Sequence, residues 1–259
     1  MFPIGDDNSD RHITPYVNYV LIALNVFVFV FLQGMGTNYG FTYSFSTVPA
    51  EILTGSDIVT QGEMIRDPQS GQTFQMPGLG VTPIHVWLTM LTSMFMHGGW
   101  GHLLGNMLFL WIYGDNIENR LGHRRYLLFY LLCGLLASLS HVFATSVMTP
   151  DNLNIPSLGA SGAIAGIMGS YLLLFPHRKI KVFVLRAIVE VPALLALGLW
   201  IVTQVISGVG SAGQGGGGVA YAAHIGGFVF GMLLVKFFDK GQHYVDQQLA
   251  KQQNRRGPY

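Results

Sequence analysis

Residues 159–176 read GASGAIAGIMGSYLLLFP. Glycines recur at 159, 162, 166 and 169, and an apolar run closes on Pro176. Proline cannot continue a helix, so the helical run reaches from Ser161 to about Phe175. At 1.5 Å per residue that is roughly 21 Å, short of the roughly 30 Å hydrocarbon core of a bilayer. Pro156 and Gly159 stand just before it. The segment therefore predicts a helix that begins inside a membrane, with first amides that lack intrahelical partners. Such an end is costly in lipid unless it lines a polar cavity. A serine there has two readings. It is one more small residue on a close-packing helix face, or it is a nucleophile at a helix N-terminus.

The rest of the chain is equally apolar. Of 259 residues, 50% are hydrophobic and only 10% charged, against about 25% charged in soluble domains. A net charge of +1 suggests no nucleic-acid partner. The single Cys133 excludes an intramolecular disulfide and a cysteine-rich metal site. Residues 1–15 are polar and carry Asp6, Asp7 and Asp10. That does not fit the basic start of a signal peptide, so the first apolar run reads as a retained span.

Six apolar segments emerge: 16–32, 103–117, 126–146, 159–175, 183–206 and 219–238. The long loop 33–101 holds a polar section (60–80) and then HVWLTMLTSMFMH (85–97), which reads as interfacial or re-entrant. SGVGSAGQGGGG (207–218) reads as a flexible connector. Arg11, the turns 118–125 and 176–186, and the end of the last span with its tail hold all of the 14 basic residues except Arg66. Cytoplasmic loops are enriched in Lys and Arg, so both termini are expected in the cytoplasm and the span count is even. The expected organisation is a cytoplasmic segment 1–15, a six-span domain 16–238 and a cytoplasmic, Gln-rich tail 239–259. A bacterial inner membrane is the expected location.

Depth then sorts the polar residues. Ser161 lies 14 residues before Phe175, and His224 lies 14 residues before Phe238. Both therefore sit about 21 Å from the inner ends of their spans. His102 lies 14 residues before Asn116, with Asn106 one helical turn deeper. Gly162 and Gly166 are four apart, as are Gly227 and Gly231, a spacing that lets two helices approach closely. Close approach would bring Ser161 to His224. A neutral histidine is the usual base for a serine hydroxyl, and a helix N-terminus favours the developing negative charge of an oxyanion. No acidic residue lies at this depth in spans four or six, so a Ser–His pair without an aspartate is expected.

HGGWGHLLGNMLFL (97–110), GDNIENRLG (114–122), GASGAIAG (159–166) and AHIGGFVFG (223–231) follow one another in this order. As a set they resemble the rhomboid family of intramembrane serine proteases, over about 85–238. The resemblance implies an all-α membrane protein, a six-transmembrane-helix bundle whose short central fourth helix starts inside the bilayer. It implies Ser161 as nucleophile and His224 as general base. His102 and Asn106, with Ser161, would stabilise the oxyanion, and His97 matches a histidine of the first external loop. It implies transmembrane protein substrates in a lipid bilayer, cleaved near the outer face, with no cofactor and no metal. Two positions depart from the family pattern. Trp87 is followed by Leu88 rather than arginine, and the residue four after the serine is Ala165 rather than tyrosine. His224 must then be oriented by something else.

Plainer readings stand beside these. Ser161 and His224 taken singly fit a packing serine and a buried histidine, and His102 and Asn106 fit interhelical hydrogen bonds. His97 and His141 read as structural. Glu118 and Arg120 read as an interfacial ion pair, and Glu190 beside Pro192 as a snorkelling carboxylate at a kink in span five. Zinc held by His97, His102 and His224 is disfavoured, because no HExxH motif and no accompanying carboxylate is present. A non-proteolytic relative that binds transmembrane helices is the alternative function. A transporter would show an inverted repeat, and none is seen.

Overall fold

A computed structural model describes residues 2–66, 73–184, 186–211 and 219–239. The chain is mostly helical. Among the described residues, three helices are long and apolar enough to cross a membrane, within His123–Met148, Ala193–Gly210 and Tyr221–Phe238. Strand β1 (Phe2–Asp6) comes first, followed by α1 (Tyr16–Phe27), which a π-turn extends through Leu32. Next are the short helices α2 (Tyr39–Ser44) and α3 (Pro49–Thr54), and a hairpin of β2 (Glu63–Arg66) with β3 (Thr73–Met76). The stretch expected to be interfacial forms a short helix, α4 (Thr89–Thr92), flanked by two 3₁₀ turns. Helices α5 (Trp100–Leu121) and α6 (His123–Met148) follow, broken only at Gly122, whose φ is 77°. The remainder is α7 (Ser161–Leu174), β4 (Lys179–Val184), β5 (Ala187–Pro192), α8 (Ala193–Ser211) and α9 (Val219–Phe238).

Helix α7 is the axis of the bundle, and every residue from Gly162 to Tyr171 is buried. Missing side chains make this possible. A Cβ on Gly227 would stand 2.1 Å from the Gly162 carbonyl oxygen, and one on Gly231 would stand 2.0 Å from that of Gly166. On the α6 side, a Cβ on Gly162 would meet Ala137 at 2.6 Å. Backbone therefore rests on backbone along the α7–α9 seam, as the four-residue glycine spacing predicts.

The end of the bundle that carries the basic turns differs from expectation. Strands β1, β4 and β5 form an antiparallel sheet in that order, with Asp6 paired to Ile180 and Lys181 to Glu190. The turn expected at 176–186 is thus half of a hairpin, and the fifth apolar helix starts at Ala193 rather than 183. β-Branched residues explain the difference, since KVFV and AIVEVP suit a pleated surface. Glu190 therefore lies in a strand and pairs with Lys179 at 3.1 Å, not beside a kink in span five. The expected Glu118–Arg120 pair is also absent. Glu118 is buried and accepts hydrogen bonds from the Val17 and Asn18 amides (3.0 and 2.7 Å), which caps the N-terminus of α1. Arg120 makes a bidentate pair with Asp239 at 2.9 Å.

Asp6 ties this sheet to α7. Its Oδ2 accepts from the Tyr171 hydroxyl at 2.6 Å and from Asn116 Nδ2 at 2.7 Å. Burial pushes the Asp6 carboxyl up to about 7, against the Tyr171 hydrogen bond, which favours the ionised form. The connector reading covers 207–218, of which 207–211 is helical and 212–218 lies outside the described residues. The tail reading beyond Asp239 also lies outside them.

Candidate active site

Ser161 is the first residue of α7, and the first intrahelical bond runs from the Ile164 amide to the Ala160 carbonyl at 3.0 Å. The amides of 161–163 consequently have no partner within the helix. The approach to this end is pinned. Thr47 and Ser157 exchange backbone hydrogen bonds of 3.0 and 2.8 Å, and the Gly159 amide donates to the Ser93 carbonyl at 2.9 Å. Gly159 has φ 130°, and a Cβ there would lie 2.8 Å from the His102 ring. Only glycine meets both conditions.

His224 projects from α9, and its Nε2 lies 2.8 Å from Ser161 Oγ. The two side chains at matching depth are thus brought together across the glycine seam. His102 stands at the rim of the same cleft. Its Nδ1 accepts from the Gly98 amide at 3.3 Å, which leaves the proton of the neutral ring on Nε2, beside Gly159. Asn106 is 8% exposed, and its Nδ2 has no hydrogen-bond partner. A buried unpaired amide nitrogen is uncommon, because it forfeits its hydration without compensation. Here it lines a cavity of about 400 Å³ shared with His102, Ser161, Trp200 and His224. A second cavity, about 40 Å³, touches Ser161 from behind and is lined by Ser93, Ser138, His141 and Ser157. That is polar and large enough for water.

His97 sits apart from the Ser–His pair. Its backbone is clamped by Gln33, which accepts from the His97 amide (2.8 Å) and donates to its carbonyl (3.0 Å). Burial, and then the neighbouring His102, push its imidazole down to about 3, so it is neutral. Among the described residues no group of three or more His, Cys, Asp or Glu side chains is placed to hold a metal ion.

The residue that sequence reasoning missed is Gln204. Its Oε1 lies 2.7 Å from His224 Nδ1. One turn earlier on α8, the Trp200 ring covers the imidazole at 5.8 Å between centroids. These are the two α8 side chains in contact with the histidine ring. Depth would have found Gln204: it lies about eleven residues, roughly 17 Å, from the start of α8, close to the level of Ser161 and His224.

A hydroxyl facing an imidazole nitrogen, at the free amides of a buried helix N-terminus and beside an unpaired amide donor, has the parts for acyl transfer. The Rhomboid domain family matches residues 85–240. The mitochondrial Rhomboid protein 1 of Saccharomyces cerevisiae is 32% identical over 171 residues, covering 65% of this chain and 45% of that protein. Rhomboid protease GluP of Bacillus subtilis is 30% identical over 213 residues, covering 82% of this chain and 35% of its own. Chloroplastic Rhomboid-like protein 11 of Arabidopsis thaliana is 32% identical over 163 residues, covering 60% and 53%. The chain thus spans between a third and about half of the length of these relatives. With a helical membrane fold and a domain match over more than half its length, this chain belongs to the rhomboid family.

Proposed function

We propose that this protein is a six-span intramembrane serine endopeptidase that cleaves transmembrane segments of other proteins near the outer face of the membrane. The observation that carries this reading is the 2.8 Å contact between Ser161 Oγ and His224 Nε2 at the start of a buried helix. With α1, α5, α6, α7, α8 and α9 taken as the six spans, the clustering of Lys and Arg in the connecting turns supports a cytoplasmic side for those turns and for both ends.

Ser161 Oγ attacks the peptide carbonyl carbon as its proton passes to His224 Nε2. The carbonyl π electrons move to oxygen, and this oxyanion accepts from the Ser161 amide, Asn106 Nδ2 and His102 Nε2. When the tetrahedral centre collapses, the C–N bond breaks and the proton on His224 goes to the leaving nitrogen. Water from the small cavity beside Ser161, supplied from the outer side, then hydrolyses the acyl-enzyme with His224 again as base. A substrate helix must unwind locally to offer its carbonyl, so glycine near the outer surface favours cleavage.

A fluorophosphonate probe tests the reading. The wild-type protein should label and Ser161→Ala should not, with turnover of a transmembrane substrate lost in parallel. Full turnover by Ser161→Ala would end the proposal. Asn106→Ala should label and turn over about 100- to 1000-fold more slowly. A non-proteolytic binder of transmembrane helices would bind the substrate but fail to label in the wild-type form.

A further inference from the structure

Resting on that Ser–His reading, we propose that Gln204 is the positioning residue of the pair, a third member of the relay delivered by α8. A neutral imidazole carries one proton, and which nitrogen holds it decides whether the ring can act as a base toward Ser161. Nε2 faces Ser161 Oγ at 2.8 Å and must be unprotonated to take the serine's proton. Nδ1 must then hold the ring proton and needs an acceptor. The Gln204 Oε1 atom, 2.7 Å away, supplies it. An amide oxygen only accepts, so this contact selects the productive tautomer. With the amide turned round, its NH₂ would donate to Nδ1, place the ring proton on Nε2 and disarm the base.

No other polar contact to the His224 ring is present among the described residues besides Ser161 and Gln204. Trp200, from the same helix face as Gln204, closes over the ring. Gln204 thus does with a neutral dipole what an aspartate does in a three-residue relay. A carboxylate would carry a full charge at this depth, and that costs far more to bury than an amide does.

The test uses the full chain in micelles with a transmembrane peptide substrate. Gln204→Met removes the acceptor at similar volume, and Gln204→Glu, in the neutral acid form that avoids burying a charge, still offers a carbonyl oxygen as acceptor. Gln204→Met should lower kcat and the fluorophosphonate labelling rate together by about 10- to 100-fold, while KM changes less than about twofold. Gln204→Glu should recover most of that loss. Nitrogen-15 spectra of ring-labelled protein, with the His224 signals assigned by their loss in His224→Ala, should show the proton on Nδ1 in wild type. In Gln204→Met that preference should vanish. Wild-type rates in folded Gln204→Met, or a wild-type ring protonated on Nε2, would overturn the proposal. If Gln204→Met fails to fold, the wild-type spectrum decides alone. The two readings fail separately: labelling of Ser161→Ala would sink the Ser–His pair, whereas an inert Ser161→Ala beside a fully active Gln204→Met would sink only the role of Gln204.

Discussion

Helix α9 carries the histidine of the site and α8 presents two side chains to its ring, and the two helices are held against α7 by opposite means. Along α9, glycines put backbone on backbone, with Gly227 and Gly231 seated over the carbonyls of Gly162 and Gly166. Along α8, Ala193 and Leu197 alone are buried among the described residues, and Val202, Ile206 and Val209 are 51, 66 and 71% exposed. The α9 contact fixes where the imidazole is, because no rotamer or side-chain shift can relieve a backbone clash. The α8 contact bears on how the ring is turned, through Gln204 and Trp200. Position and orientation of one side chain are thus assigned to helices of different rigidity.

Four outcomes break or sharpen that contrast, one of them the Gln204 series above. The largest effect belongs to the rigid seam. Gly231→Val would drive a side chain into the Gly166 carbonyl, and neither backbone can yield. We expect a loss of more than about 3 kcal/mol of stability, read as failure to recover folded protein in detergent. A Gly231→Val protein with wild-type melting and labelling would show that the seam is not tight.

A middle effect lies at the basic end of the same axis, where Asp6 grips Tyr171. Its folded-state pKa of about 7 is above the ordinary 3.8. Between these values the folded protein keeps a proton that the unfolded chain releases, so this group makes stability fall as pH rises from about 4 to about 7, and level off above. Thermal melting should follow that course, and Asp6→Asn should flatten it. An unchanged slope in Asp6→Asn would remove Asp6 from the account. The smallest effect belongs to α8. A Cβ on Gly198 meets nothing within 4 Å, so Gly198→Ala should leave activity intact and stabilise by at most about 1 kcal/mol. A marked loss would mean that α8 is packed as closely as α9.

The site was more legible than the scaffold around it. Ser161 and His224 could be paired from sequence because helical rise converts residue number into depth, and glycines at four-residue spacing announce a close crossing. Gln204 escaped because one amide in an apolar helix carries no motif, although the same measure of depth reaches it. The sheet escaped for another reason. VFV and AIVEVP are apolar enough to merge with the helix that follows, so a hydropathy pattern extends the span back to 183 and hides a hairpin. Glu118 was legible as polar but not as a cap, since its partners Val17 and Asn18 lie about 100 residues earlier in the chain.

The pairing of Phe2–Asp6 with Lys179–Val184 has a consequence for how the molecule is made. The ribosome adds about 5–20 residues per second, so the strand that emerges early waits on the order of ten seconds for its partner. During that wait Asp6 is in water as an ordinary ionised carboxylate, and neither Tyr171 nor Asn116 is in place to meet it. On the proposed six-span topology, the sheet can close only after four apolar helices have been delivered to the bilayer in the correct order. A chain inserted with a helix missing or inverted would leave the two strands on opposite faces of the membrane, so the closed latch certifies a finished topology.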